Sequence, residues 1–308
     1  MSFSYDTKTE ICRVVPDSKC CAIAECYGML LYGNTFRAGE IRIITGNQTL
    51  GARLAERFAR AFSISFDILP EMGNAGKQSY VINDRKKLSA VFKTYGFSPD
   101  SLLAHHVNLG VLEEECCRRS FIRGVFLTGG AITDPAKSYH LELVTDHFSV
   151  SRETYSLLLD MGFSPKETSR GGNYITYFKQ SSAIEDFLTL IGAPLHAMEL
   201  MSAKIEKDMR NSVNRKVNCD TANVTKTVDA AATQIDAIKA IMAAGAYEAL
   251  PEKLRQTAEL RMQNPELSIK DLADMSTPPV TKSCLSHRLR KLCELSGSAD
   301  DATAQTAR

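Results

Sequence analysis

The chain contains no tryptophan, no Cys-x-x-Cys pair, no long apolar run and almost no net charge. Each absence excludes something. Thirty-seven Lys and Arg against thirty-six Asp and Glu leave a charge of +1, so the overall balance points neither to a polyanion nor to a membrane surface. Only local charge can do so. Without tryptophan, the core must be filled by thirteen Phe, ten Tyr and the aliphatic residues of a 44% hydrophobic chain, which is enough for a real core in 308 residues. Nothing approaches the roughly 18 apolar residues of a membrane span, so no membrane partner is expected. The N-terminus, MSFSYDTKTEIC, has no apolar run, so a signal peptide is not expected and a cytoplasmic protein is. Nine cysteines make an odd set. The adjacent pairs Cys20-Cys21 and Cys116-Cys117 sit on helical patterns, where neighbours point in different directions. They are expected to be buried small hydrophobes in a reducing compartment, with no metal ligands and no disulfides.

What is present is a repeat. Cys20-Cys21, Gly28 and Gly33 recur ninety-six positions later as Cys116-Cys117, Gly124 and Gly129, and Leu88, Phe92 and Gly96 recur as Ile184, Leu188 and Gly192. A strand pattern ending in Thr follows each glycine helix, at Glu40–Thr45 and Tyr139–Thr145. Self-similarity at one offset marks a duplicated domain. Glycine inside a helix costs about 1 kcal/mol against alanine. Gly28 and Gly124 are therefore expected where two helix backbones press together.

CYGMLLYGN (26–34) and IRGVFLTGG (122–130) resemble two copies of the LAGLIDADG motif of homing endonucleases. That resemblance implies two αββαββα halves whose motif helices pack at a pseudo-two-fold axis. In the family, the second-last motif residue is the acid that binds the catalytic metal. Gly33 and Gly129 stand at those positions, and a glycine offers no oxygen to a hard cation. Glu40 and Asp134 lie beyond the helix ends. No catalytic residue, no metal and no cofactor is expected.

The coarse reading gives a leading helix ended by Pro16. The first half has helices at about 19–33, 48–62 and 84–95 with strands in 35–45 and 64–82. The second has helices at about 115–129, 150–161 and 181–191 with strands in 131–145 and 173–178. Ser149 or Ser151 is expected to cap the helix ended by Gly162. Asn74-Ala75-Gly76 and Gly171-Gly172-Asn173 mark hairpin turns. Residues 97–114 connect halves 18–96 and 115–192, and His105 and His106 there lack a matching ligand set. The first domain closes at 196. Residues 197–217, with Lys204, Lys207, Arg210, Arg215 and Lys216, read as a charged helix, either a solvated linker or a basic arm along an acidic polymer.

A second domain is expected over 218–295. Val224, Val228, Ala231, Ile235, Ile238 and Met242 form one apolar stripe. A helix from Leu250-Pro251 turns Leu254, Ala258 and Met262 inward. Ser268 caps a short helix with Ile269, Leu272 and Ala273 inside, Ser276-Thr277-Pro278-Pro279 breaks the chain, and a last helix follows. Short helix, turn and helix make a helix-turn-helix. On the last helix Leu285, Leu289 and Leu292 share one side. Ser283, Ser286, His287, Arg290 and Lys291 collect opposite, with Arg288 on the flank and Lys282 near the apolar edge. These seven polar residues are the expected DNA contacts, with auxiliary contacts at Arg215, Lys216 and Lys226. Residues 296–308 have the composition of a disordered tail.

Three unrelated stretches, CCRRSFIRGVFLTGG (116–130), NRKVNCDTANVTKT (214–227) and KSCLSHRLRKL (282–292), resemble the WhiA sporulation-regulator family of Gram-positive bacteria. The resemblance spans about residues 3–295. It implies an α+β chain, a duplicated LAGLIDADG-like domain followed by an all-α helix-turn-helix domain, and a nucleoid-associated transcription regulator of sporulation or cell division. Double-stranded DNA is the implied partner, with another transcription factor or RNA polymerase as a second candidate. The competing readings are a nucleoid-organising protein of little sequence preference and an active endonuclease.

Overall fold

The computed structural model describes residues 2–15, 18–70, 76–97 and 104–306, with backbone alone from 297 onward. Two compact units divide the chain between Asp208 and Met209.

The first unit opens with α1 (Phe3–Ile11), whose N-cap Ser2 accepts from the Tyr5 amide. The first half then contains α2 (Lys19–Leu31), β1 (Thr35–Arg37), β2 (Glu40–Thr45), α3 (Gln48–Phe62), β3 (Gln78–Ile82) and α4 (Arg85–Thr94). After a 3-10 turn at Leu109–Val111, the second half contains α5 (Glu115–Gly129), β4 (Gly130–Ile132), β5 (Leu141–Thr145), α6 (Phe148–Asp160), β6 (Lys166–Arg170), β7 (Asn173–Phe178) and α7 (Ser181–Ile191). The sheets are antiparallel, in the orders β1-β2-β3 and β4-β5-β7-β6. Pairings such as Phe36 with Ile41 and Leu143 with Thr176 turn alternate side chains into one shared core.

The duplication expected from the offset is present. Leu88, Phe92, Ile184 and Leu188 are all buried, and Gly96 and Gly192 both end their helices at positive φ, +75° and +92°. At the axis α2 and α5 lie backbone to backbone. A Cβ built on Gly28 would overlap the Phe121 carbonyl oxygen and stand 2.7 Å from the Val125 nitrogen; one on Gly124 would overlap the Glu25 carbonyl oxygen. Both glycines are therefore packing glycines.

Under this crossing lies a buried charge cluster. Glu25 of α2 accepts from Arg53 Nε at 2.6 Å and Nη2 at 2.8 Å, while Arg57 and Arg123 stand 3.6 Å and 3.5 Å away. Further guanidinium hydrogens go to main chain, Arg53 to Cys12 and Val14, Arg57 to Val14 and Arg123 to Ile191, while Arg57 Nε and Nη1 make no hydrogen bond. The cluster thus ties α2 to α3, to the segment after α1 and to the second half.

Several expectations are corrected. Among the described residues the first half has three strands rather than four. Between α3 and β3 only Ile68 bridges Val81, and Pro70, lacking an amide hydrogen, cannot extend the ladder. Asn74 and Ala75 of the expected turn, and Pro16, lie outside the described residues. The turn at Gly171-Gly172 is found, both residues at positive φ. The N-cap of α6 is His147, without a side-chain cap; neither Ser149 nor Ser151 occupies that position. His105 is buried and stacked on Phe36, and burial with the neighbouring His147 lowers its pKa to about 4. His106 pairs with Glu153 on the surface. Of the cysteine pairs expected to be buried, Cys21 and Cys117 are buried, whereas Cys20 is exposed and Cys116 half-buried; the Sγ atoms of Cys20, Cys21 and Cys117 lie within 4.8 Å of one another.

A single helix, α8 (Pro194–Ala243), replaces the expected linker and the start of the second domain. Its first part belongs to unit one. Ala197 and Leu200 are buried, Lys204 pairs with Glu185, and Lys207 donates to the Pro135 carbonyl and lies over the Tyr139 ring. Lys204 and Lys207 are therefore engaged with protein rather than free along a polymer.

In unit two, α8 from Met209 is joined by α9 (Glu252–Gln263), α10 (Ile269–Met275) and α11 (Lys282–Thr306). Ile238, Ile241, Leu254, Ala258, Leu272, Ala273, Leu285, Leu289 and Leu292 form the core. The apolar stripe on α8 is only partly used: Ala231 and Ile238 are buried, but Val224 is 63% and Val228 55% exposed. The helix begins upstream of the three-helix core, so its earlier turns have nothing in this unit to cover them. The backbone of α11 is helical to Thr306; residues 307–308 lie outside the description.

Candidate nucleic-acid interface

Sequence places α10 and α11 through their caps. Ser268 accepts from the Asp271 amide at the start of α10, and Thr281 accepts from the Cys284 amide at the start of α11. Between them, Val280 donates its amide to the Ala273 carbonyl and packs on the core, which fixes the turn that Pro278 and Pro279 enter. Leu285, Leu289 and Leu292 then set the rotation of α11 by burying one side.

That rotation distributes the seven expected contacts unevenly. Ser283, Ser286, His287 and Arg290 are exposed together on the side away from the core. Arg290 is not free: its guanidinium approaches His287 Nδ1 at 3.4 Å and pairs with Glu294 at 3.6 Å. Glu294 lies beyond the residues 282–292 in which the contacts were expected. Arg288 is half-buried and lines a hollow against α9 with Gln256, Leu260 and Met275. Lys291 is exposed at a hollow also lined by Ile241, Leu254 and Leu295.

Lys282 belongs to a different group. It shares a recess of about 200 Å³ with Lys226 of α8, Lys270 of α10 and Arg261 of α9. Arg261 is 1% exposed; its Nη1 donates to the Leu267 carbonyl at 2.9 Å, burial lowers its pKa, and its Nε has no partner. Four cationic groups around one hollow, with one donor unused, can accept an anionic oxygen. The sequence signalled Lys226 and Lys282 but not Lys270 or Arg261, which come from two other helices. Arg215 and Lys216 are exposed on α8 and do not line this recess.

In unit one, the C-terminal ends of the motif helices carry no carboxylate. A Cβ on Gly33 would sit 2.8 Å from the Met29 carbonyl oxygen, and one on Gly129 2.6 Å from that of Val144. These ends have no room for the side chains that two-metal cleavage requires. No helix among the described residues is long and apolar enough to cross a membrane.

Comparison with known proteins agrees with this division. Residues 118–210 match the family model described as the WhiA LAGLIDADG-like domain, and residues 213–296 match the WhiA C-terminal HTH domain. A protein of Ruminiclostridium cellulolyticum named "Probable cell division protein WhiA" is 37% identical over 303 residues, covering 96% of this chain and 97% of that one. One of the same name from Clostridium novyi is 37% identical over 305 residues, covering 95% and 96%. The crystal structure of full-length DUF199/WhiA from Thermotoga maritima covers 97% of this chain and 99% of its own, with TM-score 0.59 and 24% identity, a likeness of fold.

Proposed function

The chain belongs to the WhiA family, and from that premise we propose that it is a sequence-specific DNA-binding regulator acting on cell-division or sporulation genes. Unit two reads the DNA. Ser283, Ser286 and His287, early on the exposed side of α11, lie where a recognition helix meets base edges, and Arg290 meets the backbone beside them. The recess formed by Lys226, Arg261, Lys270 and Lys282 holds a phosphate. The observation that carries the reading is this conjunction: a neutral hydroxyl-and-imidazole face flanked by a cationic hollow whose buried arginine has an unused donor. Arg288 is secondary, because it is half-buried in a hollow against α9, and Lys291 because it borders an apolar hollow. Unit one is a non-nucleolytic scaffold, and protein partners such as RNA polymerase or another transcription factor would dock there. The relatives' printed name is the support for placing the regulated genes in cell division.

Binding isotherms of full-length variants on specific and scrambled duplexes across a salt series test this reading. Lys226→Ala, Lys270→Ala and Lys282→Ala should each weaken both duplexes and flatten log K against log salt by about 0.9. Ser286→Ala or His287→Ala should narrow the specific-to-scrambled gap by about 1–3 kcal/mol at unchanged slope. Wild-type isotherms from all five variants would overturn the assignment. A genome-wide binding map that shows broad occupancy in place of discrete promoters favours the nucleoid-organising reading. EDTA-sensitive cutting that co-purifies with the protein restores the endonuclease.

A further inference from the structure

The helix pair of unit one carries chemistry at the end away from Gly33 and Gly129. Cys20-Cys21 and Cys116-Cys117 occupy the second and third positions of α2 and α5. These helices lie side by side with their N-termini together, so both pairs meet at the axis. The Sγ atoms of Cys20, Cys21 and Cys117 are mutually within 4.8 Å, and the Cys116 thiol neighbours that of Cys21. Cys20 likewise meets Cys117. Under the ninety-six-residue offset, the contacts 20–117 and 21–116 are one contact seen from each half.

We propose that the four thiols form a site for a thiolate-seeking divalent cation of the Zn²⁺ class, with Cys20, Cys21 and Cys117 as ligands and Cys116 closing the tetrahedron. A Zn–S distance of about 2.3 Å sets the sulfur–sulfur edge near 3.8 Å, so the thiols need to draw in by about 1 Å. Cys20 is exposed and gives the ion a way in, while Cys21 and Cys117 are buried. The outer sphere is already placed. Ser18 Oγ lies 2.9 Å from Cys20 Sγ and 3.2 Å from Cys21 Sγ, and the buried Ser120 also reaches Cys21. The positive ends of two helices offset the negative charge of the thiolates. Each thiol that ligates releases its proton to solvent, and no redox change is involved. The ion would join the two halves through ligands from both.

Full-length protein prepared in reductant without chelator provides the test. The expected results are about one zinc per chain by elemental analysis and, for the stripped chain, thiolate-to-metal charge-transfer absorption that saturates near one equivalent of Co²⁺. Zinc should raise the melting temperature of unit one and protect its thiols from alkylation. Cys20→Ser, at an exposed position that leaves packing intact, should weaken zinc at least about tenfold, since even outer-sphere losses reach 10–100-fold. Cys219→Ser, exposed on α8, should leave it unchanged. Absence of both bound zinc and Co²⁺ absorption in the wild-type chain overturns the proposal, as does undiminished absorption in Cys20→Ser. Neither result touches the DNA reading, whose assays report on unit two.

Discussion

Unit one and unit two are stabilised by different means. The first buries charge and backbone against backbone: Glu25 among three arginines, Gly28 and Gly124 without a side chain between them. The second has an aliphatic core of nine buried residues, buries Arg261 and Thr257 beside it, and carries its other charges at the rim. Charge at the centre of unit one holds two halves in one geometry, and most charge of unit two is exposed to a ligand. Substitutions in the first should therefore read out as stability, and those at the rim of the second as affinity.

The largest effect that would sharpen this contrast is at the crossing. Gly124→Leu places a side chain into the Glu25 carbonyl, beyond the roughly 1–3 kcal/mol of ordinary overpacking, because the obstacle is main chain and cannot change rotamer. Calorimetry should find the unit-one transition lost or lowered by many degrees; an unchanged transition breaks the comparison. Next is Glu25→Ala, which leaves three guanidiniums buried without their carboxylate and should cost about 3–5 kcal/mol by denaturant melts. Leu289→Ala belongs to unit two and should cost about 2–5 kcal/mol there, leaving the unit-one transition in place.

A smaller effect depends on pH. His105 is held neutral in the fold, with a pKa near 4 against about 6.5 unfolded, so the unfolded chain takes up the proton first. Stability from this residue is complete above about pH 6.5 and is lost as pH falls toward 4, by up to about 3 kcal/mol. In urea melts wild type should lose stability relative to His105→Phe as pH falls across that window, and parallel curves would show that burial of this ring is not what titrates. The smallest stability change belongs to Arg290→Ala, expected within about 0.5 kcal/mol because its pairing with Glu294 is exposed, even as the salt slope of DNA binding falls. Destabilisation above that range would make Arg290 part of the packing.

The sequence revealed what repeats or alternates locally. Leu285, Leu289 and Leu292 fixed one side of α11 by spacing alone, and the paired glycines announced the crossing before any coordinate. What stayed hidden needed tertiary context. The periodicity of Val224 and Val228 is the same as that of Ile238, but only the latter has α9 and α11 beside it. Pro70 was visible, and its meaning for the missing strand depended on which neighbour Val81 would pair with. Lys270 and Arg261 join Lys226 and Lys282 across four helices, and the thiols of Cys20 and Cys117 across two halves of a duplication. No window along one segment contains such groups.

The helix crossing also bears on how such a chain can change over generations. A one-residue insertion between Cys21 and Gly28 would turn everything after it by about 100° around the axis of α2, taking the glycine off the face that meets Gly124. The same insertion would leave Cys20-Cys21 out of step with Cys116-Cys117. The helix segments between thiols and glycines are thus fixed in length, and a lineage can lengthen or shorten this domain only in its loops.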